Sequence, residues 1–256
     1  MDDYFYELRY QHDLTEWRAV IRRATLHLAW HLDGRCQAGR EPCILDVGCG
    51  TGVTGLSFAR EGKVFGVDSS SLAVDFARRR GLRRIAQSVG EGLPFKSGQF
   101  DLITSSDVLE HIEDDRAVLA EMARVARPAG LLVIVVPAFP TLWSNRDERL
   151  QHKRRYRIEE LRDKVAGAGL DVLRATYCDS FLFPPLWLLV KTGLLTGGDP
   201  RVRMDVAPET PLDRLWLTLA RVERGLIRRR IDLPVGASAL CVARRPSGAP
   251  SAATPG

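Results

Sequence analysis

The chain has 256 residues, 45% of them hydrophobic and 27% charged, a balance that excludes global disorder and fits one large globular domain or two small ones. A chain of this length buries enough surface to need no disulfide or metal staple. Its five cysteines, Cys36, Cys43, Cys49, Cys178 and Cys241, are odd in number and form no CxxC pair, which argues against a secreted disulfide framework and against a zinc site. Net charge is +5, and five of the 37 basic residues are lysine, the others arginine. Guanidinium forks match phosphate and carboxylate, but a codon habit of the host produces the same bias. Placement of the arginines must carry the argument.

The opening stretch, MDDYFYELRY, lacks the basic region of a signal peptide. No run of about 18 apolar residues predicts a membrane span. The expected location is cytoplasmic.

Residues 13–32 are expected to form a helix, capped by Asp13 with Glu16 three residues on, with Trp17, Ile21, Ala24, Leu28 and Leu32 on one face. The aromatics Tyr4, Phe5, Tyr6 and Tyr10 either close over a site as a lid or pack this helix. Residues 33–42 read as a turn-rich connector. From Cys43 to Val136 strands and helices alternate: CILDV, VTGLSFAR, KVFGVD, SLAVDFARRR, RRIAQS, FDLITS, DDRAVLAEMARVA, GLLVIVV. That alternation predicts an α/β fold with a parallel sheet and right-handed crossovers. The pattern loosens over 137–157, then resumes with helix IEELRDKVAGAG and strand LDVLRATY. A last strand, ASALCVAR, follows some 55 residues later. The organisation expected is an N-terminal helical cap over 1–40, a main domain over 41–180 plus 235–245, an insertion over 181–234, and a disordered Pro/Ala/Ser/Gly-rich tail over 246–256.

The strongest signal is CILDVGCGTGVTGL, a strand ending at Asp46 that runs into Gly48, Gly50 and Gly52 and then a helix. Such glycines let backbone bend sharply and press on a ligand at the helix N-terminus. A dinucleotide fingerprint wants a third glycine where Val53 stands, and no GK[ST] follows, so a P-loop is excluded. The second strand ends at Asp68, 16 residues after Gly52. A carboxylate there suits ribose hydroxyls, and it could also cap the helix that begins near Ser70.

ILDVGCGTG, then GVDSS, then GEGLPFKSGQFDLITSSDVLEHIEDD, then LAEMARVARPAGLLVIVVP resembles the class I S-adenosylmethionine-dependent methyltransferases, above all the subgroup related to ubiquinone and menaquinone biosynthesis. The resemblance spans about residues 41–177 plus the last strand. It implies a Rossmann-like seven-stranded sheet of order 3-2-1-4-5-7-6 with the last strand antiparallel, helices on both faces, and S-adenosyl-L-methionine as cofactor. It implies further that Asp46, Gly48, Cys49 and Gly50 line the methionine part, that Gly52 keeps the turn tight, and that Asp68 holds the ribose. Ser69 and Ser70 would flank the adenine, and Ser105 to Asp107 would face the sulfonium. Where the family often carries an acid toward the adenine amino group this chain has Val89, so backbone near Gly90 is expected to read that edge.

Ligands of such sheets bind at the carboxyl ends of the parallel strands. The loop PAFPTLWSNRDERLQHKRRYR leaves from that edge and carries His152, Lys153, Arg154, Arg155, Tyr156 and Arg157 in succession. Either it is a solvated basic turn, or Arg154 and Arg155 bind an anionic acceptor. The segment SFLFPPLWLLVKTGLL, and an amphipathic helix over 212–231 with Leu212, Leu215, Leu219, Val222 and Leu226 on one side and Arg221, Arg224 and Arg228–Arg230 supplying charge, form a peripheral membrane contact, an apolar lid or a dimer interface. Methyl transfer is an in-line displacement that depends on alignment. Its proton acceptor is expected to be His152 first, then His111, with Asp107 and Tyr156 also at the edge. The acceptor expected is a small molecule or lipid-like amphiphile: a quinone precursor, a prenyl-linked sugar or a lipid. Competing readings are a non-catalytic cofactor-binding scaffold at a membrane surface and an RNA methyltransferase, although no nucleic-acid signature is present. A dinucleotide oxidoreductase is the nearest rival by fold.

Overall fold

A computed structural model describes residue 10 and residues 17–34, 39–192 and 211–248. The expected cap Asp13 with Glu16, the aromatics Tyr4, Phe5 and Tyr6, and the tail from 249 lie outside them. Elements follow in the order α1 (Trp17–Asp33), β1 (Cys43–Val47), α2 (Val53–Ser57), β2 (Lys63–Asp68), α3 (Ser71–Arg80), β3 (Ile85–Gln87), β4 (Phe100–Ser106), α4 (Asp115–Val125) and β5 (Ala126–Pro137). Then come α5 (Asn145–Arg149), α6 (Ile158–Gly167), β6 (Asp171–Cys178), α7 (Phe183–Lys191), α8 (Pro211–Arg228) and β7 (Ser238–Arg244).

The strands form one sheet in the order β3-β2-β1-β4-β5-β7-β6. β1 through β5 run parallel, and β7 lies antiparallel between β5 and β6. This is the expected α/β architecture. Sequence periodicity explains how the sheet buries both faces. Along β5, Leu131, Val133 and Val135 enter one core with Leu26 and Trp30 of α1 and Ile227 of α8. The alternate residues Leu132, Ile134 and Val136 enter the other with Leu119 and Met122 of α4 and Leu161 of α6. A strand buried on both sides reads as a continuous apolar run, and GLLVIVV does.

Local chemistry sets the element ends. Ser70 accepts from the Ala73 amide at the start of α3, and Asp114 does the same for Ala117 at the start of α4. α2 stops at Ser57 rather than Arg60. Its Gly55 lets it lie close on β1 and β2, where a Cβ would come 3.2 Å from the Asp46 and Val64 side chains. In α1 the buried stripe is Ile21, Thr25, Leu26, Ala29, Trp30 and Asp33, which leaves Ala24, Leu28 and Leu32 half-buried.

The helix expected over 212–231 also turns differently from its sequence pattern. α8 buries Ala220, Glu223 and Ile227, while Leu215 and Val222 are exposed. Two buried charges select that face. Glu223 accepts from the amides of Asp179 and Ser180 at 2.7 and 2.6 Å. Arg174 of β6 donates to the Ile227 and Ile231 carbonyls and, through Nε, to Asp232 at 2.8 Å, closing the carbonyl end of α8. Arg174→Ala should therefore cost about 3 kcal/mol in urea unfolding. Asp232→Asn, at the exposed end of the same pair, should cost under about 1 kcal/mol.

Candidate active site

β1 leads into a turn whose glycines Gly48, Gly50 and Gly52 all have left-handed φ, 70°, 52° and 81°. Side chains rarely adopt that conformation. At Gly48 a Cβ would strike Val108 at 2.2 Å, whereas at Gly50 it would meet nothing within 4 Å. The turn is thus packed underneath and open above Gly50. The amides of Gly48 and Cys49 both donate to the Val67 carbonyl, at 2.8 and 2.9 Å, which pins the turn to β2. Asp68, at the tip of β2, accepts from the Gly50 amide at 2.9 Å and the Ser70 amide at 3.0 Å. Ser70, not Asp68, caps α3, so the Asp68 carboxylate lies between the glycine turn and the strand tip. Ser69 is exposed beside it. The Ser88 amide donates to the Asp68 carbonyl at 3.0 Å, bringing the segment with Val89 and Gly90 to the same tip.

Beneath the turn Asp46 is buried and accepts from the Thr104 hydroxyl at 2.8 Å. Burial pushes its pKa up to about 7, against the Thr104 bond and the Gly55 backbone, which lower it. At the end of β4 the Ser105 hydroxyl is buried without a hydrogen-bond partner. Asp107, Phe139 and Asp179, following β4, β5 and β6, have φ of 56°, 56° and 58°, strain of the kind held at functional edges. Arg22 of α1 reaches this edge and donates to Asp107 at 3.2 Å and to Ser238 at 3.3 Å. Burial opposes its charge, but Asp107 and Asp179 outweigh that and raise its pKa.

The loop after β5 is folded inward around two buried carboxylates. Asp147 accepts from His152 Nδ1 at 2.9 Å, from Arg155 Nε at 2.7 Å and Nη2 at 3.1 Å, and from the Ser144 amide and hydroxyl at 2.9 and 3.1 Å. Burial works to raise its pKa, yet the His152 and Arg155 bonds hold it well below the usual carboxylate range. An ionised Asp147 fixes the proton of His152 on Nδ1 and directs Nε2 away. Asp115 in turn accepts from Lys164 at 2.6 Å, Tyr156 at 2.8 Å and Arg154 at 3.2 Å. The loop lies against the segment after β4 through the Lys153 amide, which donates to the Glu110 carbonyl at 2.7 Å.

These contacts correct several expectations. Arg155, with 9% of its side chain exposed, has its guanidinium on Asp147 and on the Ala138 carbonyl, and Arg154 is held by Asp115 and Glu113. Both serve as internal clamps rather than an acceptor grip, and the stretch is not a solvated turn either. Tyr156 is fully buried with its hydroxyl on Asp115. Burial, with that carboxylate adding to it, raises its pKa, which removes Tyr156 from the candidate bases. The Cys49 thiol packs into the core with Leu82 and burial raises its pKa, so the Cys49 side chain supports the turn from inside. Tyr10 packs against Phe76 of α3, the rings tilted by 36° with centroids 5.0 Å apart. His111 and His152 are brought together, ring centroids 4.7 Å apart.

Sequence reasoning missed Arg22, Asp147 and Glu110. Arg22 looked like one more charge on an amphipathic helix. Asp147 had a readable signal: Ser144-x-x-Asp147 is a capping-box spacing, and that box positions its carboxylate.

Residues 45–134 match the family of methyltransferase domains. The chain is 36% identical over 125 residues to the ubiquinone biosynthesis O-methyltransferase of Erwinia tasmaniensis, covering 45% of this chain and 50% of that one. It is 33% identical over 132 residues to the demethylmenaquinone methyltransferase of Geobacillus stearothermophilus, covering 47% and 56%. The chain spans about half the length of these curated relatives. In fold it is similar to the geranyl diphosphate C-methyltransferase of Streptomyces coelicolor, solved with its diphosphate, magnesium and S-adenosyl-L-homocysteine: TM-score 0.57, 18% identity, 88% of this chain and 79% of that one covered. Over residues 45–134, then, the chain resembles the S-adenosylmethionine-dependent methyltransferases.

In the region of this match the residues present fit the cofactor that the family uses. A Cβ at Gly50 would meet nothing within 4 Å, so that side of the turn is open to a ligand, and at the end of β4 the Ser105 hydroxyl is buried with its hydrogen-bonding capacity unused. The proton on Asp46 has a measurable consequence. Its folded pKa, about 7, lies above the unfolded value of 3.8, so the folded state binds that proton more tightly. This contribution to stability is complete below about pH 4 and is lost as pH rises through about 7. Asp46→Asn should therefore gain stability relative to the parent chain over that window, read as urea midpoints at successive pH values.

Proposed function

We propose that the chain transfers a methyl group from S-adenosyl-L-methionine to a small, amphiphilic, quinone-like or lipid-like acceptor presented at a membrane surface. The observation that carries the reading is the open glycine cradle of Gly48 and Gly50 beside Asp68, at the point where β1 and β4 adjoin and their crossovers leave in opposite directions. In this reading Asp68 takes the ribose hydroxyls, Ser69 and Gly90 border the adenine, and Asp46, Ser105 and Asp107 border the methionine end. Bound there, the cofactor supplies an electrophilic methyl on a sulfonium. The protein's part is alignment, exclusion of water and reception of a proton. His152, oriented by ionised Asp147 with Nε2 available, receives that proton, and His111 stands beside it. An anionic group on the acceptor would meet Arg22 at the sheet edge, in place of Arg154 and Arg155.

The acceptor class is supported from two sides. The relatives named above act, by their names, on ubiquinone and menaquinone precursors, molecules with a polar ring and an apolar tail. On this chain Phe181, Trp187, Leu188, Leu189, Leu215 and Val222 are exposed, with Lys191, Arg214, Arg221 and Arg228 exposed among them on α7 and α8. Apolar side chains interspersed with cations suit an anionic membrane surface. No helix among the described residues is long and apolar enough to cross a membrane. α7 follows β6 at the sheet edge that holds the cradle, so an acceptor held in the membrane would meet the methyl group from that side.

Calorimetric titration with S-adenosyl-L-methionine and with NAD tests the cofactor. The sulfonium should bind, NAD should not, and Asp68→Ala should weaken binding at least tenfold while leaving the fold intact. Absence of sulfonium binding would sink the enzyme reading. In a pelleting assay the chain should sediment with anionic vesicles and not with neutral ones, and Trp187→Ala with Leu188→Glu should abolish sedimentation. Equal recovery of parent and variant would make α7 and α8 a lid or an interface and direct the search to soluble acceptors.

A further inference from the structure

Glu110 is the residue that the methyl-transfer reading leaves unexplained. It is fully buried on the short turn of helix that follows β4, and neither of its carboxylate oxygens has a hydrogen-bond partner. A buried acid without a donor is destabilising, and proteins retain one where something else comes to it. His152 Nε2 lies 4.0 Å from Glu110 Oε1. A ligating nitrogen of His111, an oxygen of Glu110 and a nitrogen of His152 all fall within 4.8 Å of one another. We propose that Glu110, His111 and His152 form a binding site for a first-row divalent cation of the zinc or manganese class.

Four features of the geometry support the site. A cation bonded at about 2.0–2.2 Å to nitrogen and oxygen spans a gap of the size between His152 and Glu110. Two imidazoles and one carboxylate form a donor set suited to first-row metals, with coordination positions left open to a further ligand. The far nitrogen of His152 is bonded to Asp147 at 2.9 Å, the outer-shell carboxylate that commonly orients and strengthens a metal-binding histidine. Finally, Glu110 presents no surface to water. That excludes a bulky ligand from direct contact, while a bare cation, much smaller than a water molecule, can reach it after small side-chain shifts.

What the cation would do rests on the methyl-transfer reading. Held at the sheet edge, it would bind the acceptor oxygen and lower its pKa, taking over the proton-related task given to His152. The site itself can be read without turnover. The full chain, stripped with a chelator and dialysed, is titrated with Zn²⁺ alone by calorimetry and with Co²⁺ by visible absorption. One site is expected, with ligand-field bands for cobalt. Glu110→Gln and His152→Ala should each weaken Zn²⁺ at least tenfold, and Asp147→Asn by about 10–100-fold through the outer shell. His31→Ala should change nothing; it controls for the surface group His27, His31 and Glu61, which also has metal-ligand spacing. Where Glu110→Gln does not fold by circular dichroism, His111→Ala and His152→Ala carry the test. Absence of Zn²⁺ binding, equal binding by the parent and the ligand variants, or loss only with His31→Ala would overturn the site. S-adenosyl-L-methionine binding, measured on the same metal-free samples, reports separately on the proposed function.

Discussion

The arrangement of the whole molecule follows from one constraint, the direction of β1 and β4. The two strands lie side by side and parallel, paired from Ile44 with Leu102 to Val47 with Ser105, yet the chain leaves them toward opposite halves of the sheet. No helix can cover the carboxyl ends of both, so a cleft opens there. The glycine turn, Asp68, Ser105 and Asp107 gather at this edge because each sits at or just past the end of one of these strands or their neighbours. β7, running antiparallel, begins at the same edge, which is how Ser238 comes to share Arg22 with Asp107.

Charge burial decides the walls of the cleft. Asp115 and Asp147 are both buried, and a carboxylate in that position needs cations and donors around it. The basic run after β5 supplies them: Arg155 and His152 to Asp147, Arg154 to Asp115, with Lys164 of α6 added. What reads in sequence as a positively charged loop is in the folded chain a set of matched pairs. The consequence for chemistry is that His152 has one orientation and one tautomer, and that its second nitrogen faces Glu110.

On the other side of the sheet, α8 is held by polar rather than apolar selection. Leu215 and Val222 of its apolar stripe stay outside while Leu219 and Leu226 are half-buried, and Glu223 and the carbonyl end of the helix are anchored to β6 and the turn after it. The exposed apolar surface that links the chain to membranes in the proposed function exists because these buried polar contacts outweighed the hydrophobic pattern.

Much was legible in the residues alone. Strand-helix alternation, the glycine turn and the position of Asp68 each depend on neighbours close in sequence, and the sheet order and cofactor class came out as expected. The roles of Arg154, Arg155, Tyr156 and Cys49 did not, because each depends on a partner that only folding brings near: Asp115, Asp147 and the core residue Leu82. The same holds for Arg22, 85 residues from Asp107, and for Glu110 with His152. The sequence by itself determined the local backbone, since glycine conformations, caps and apolar periods act over a few positions. Only the tertiary structure decided which charges face the cleft and which are neutralised inside, because pairing energy belongs to contacts between distant segments and to their burial.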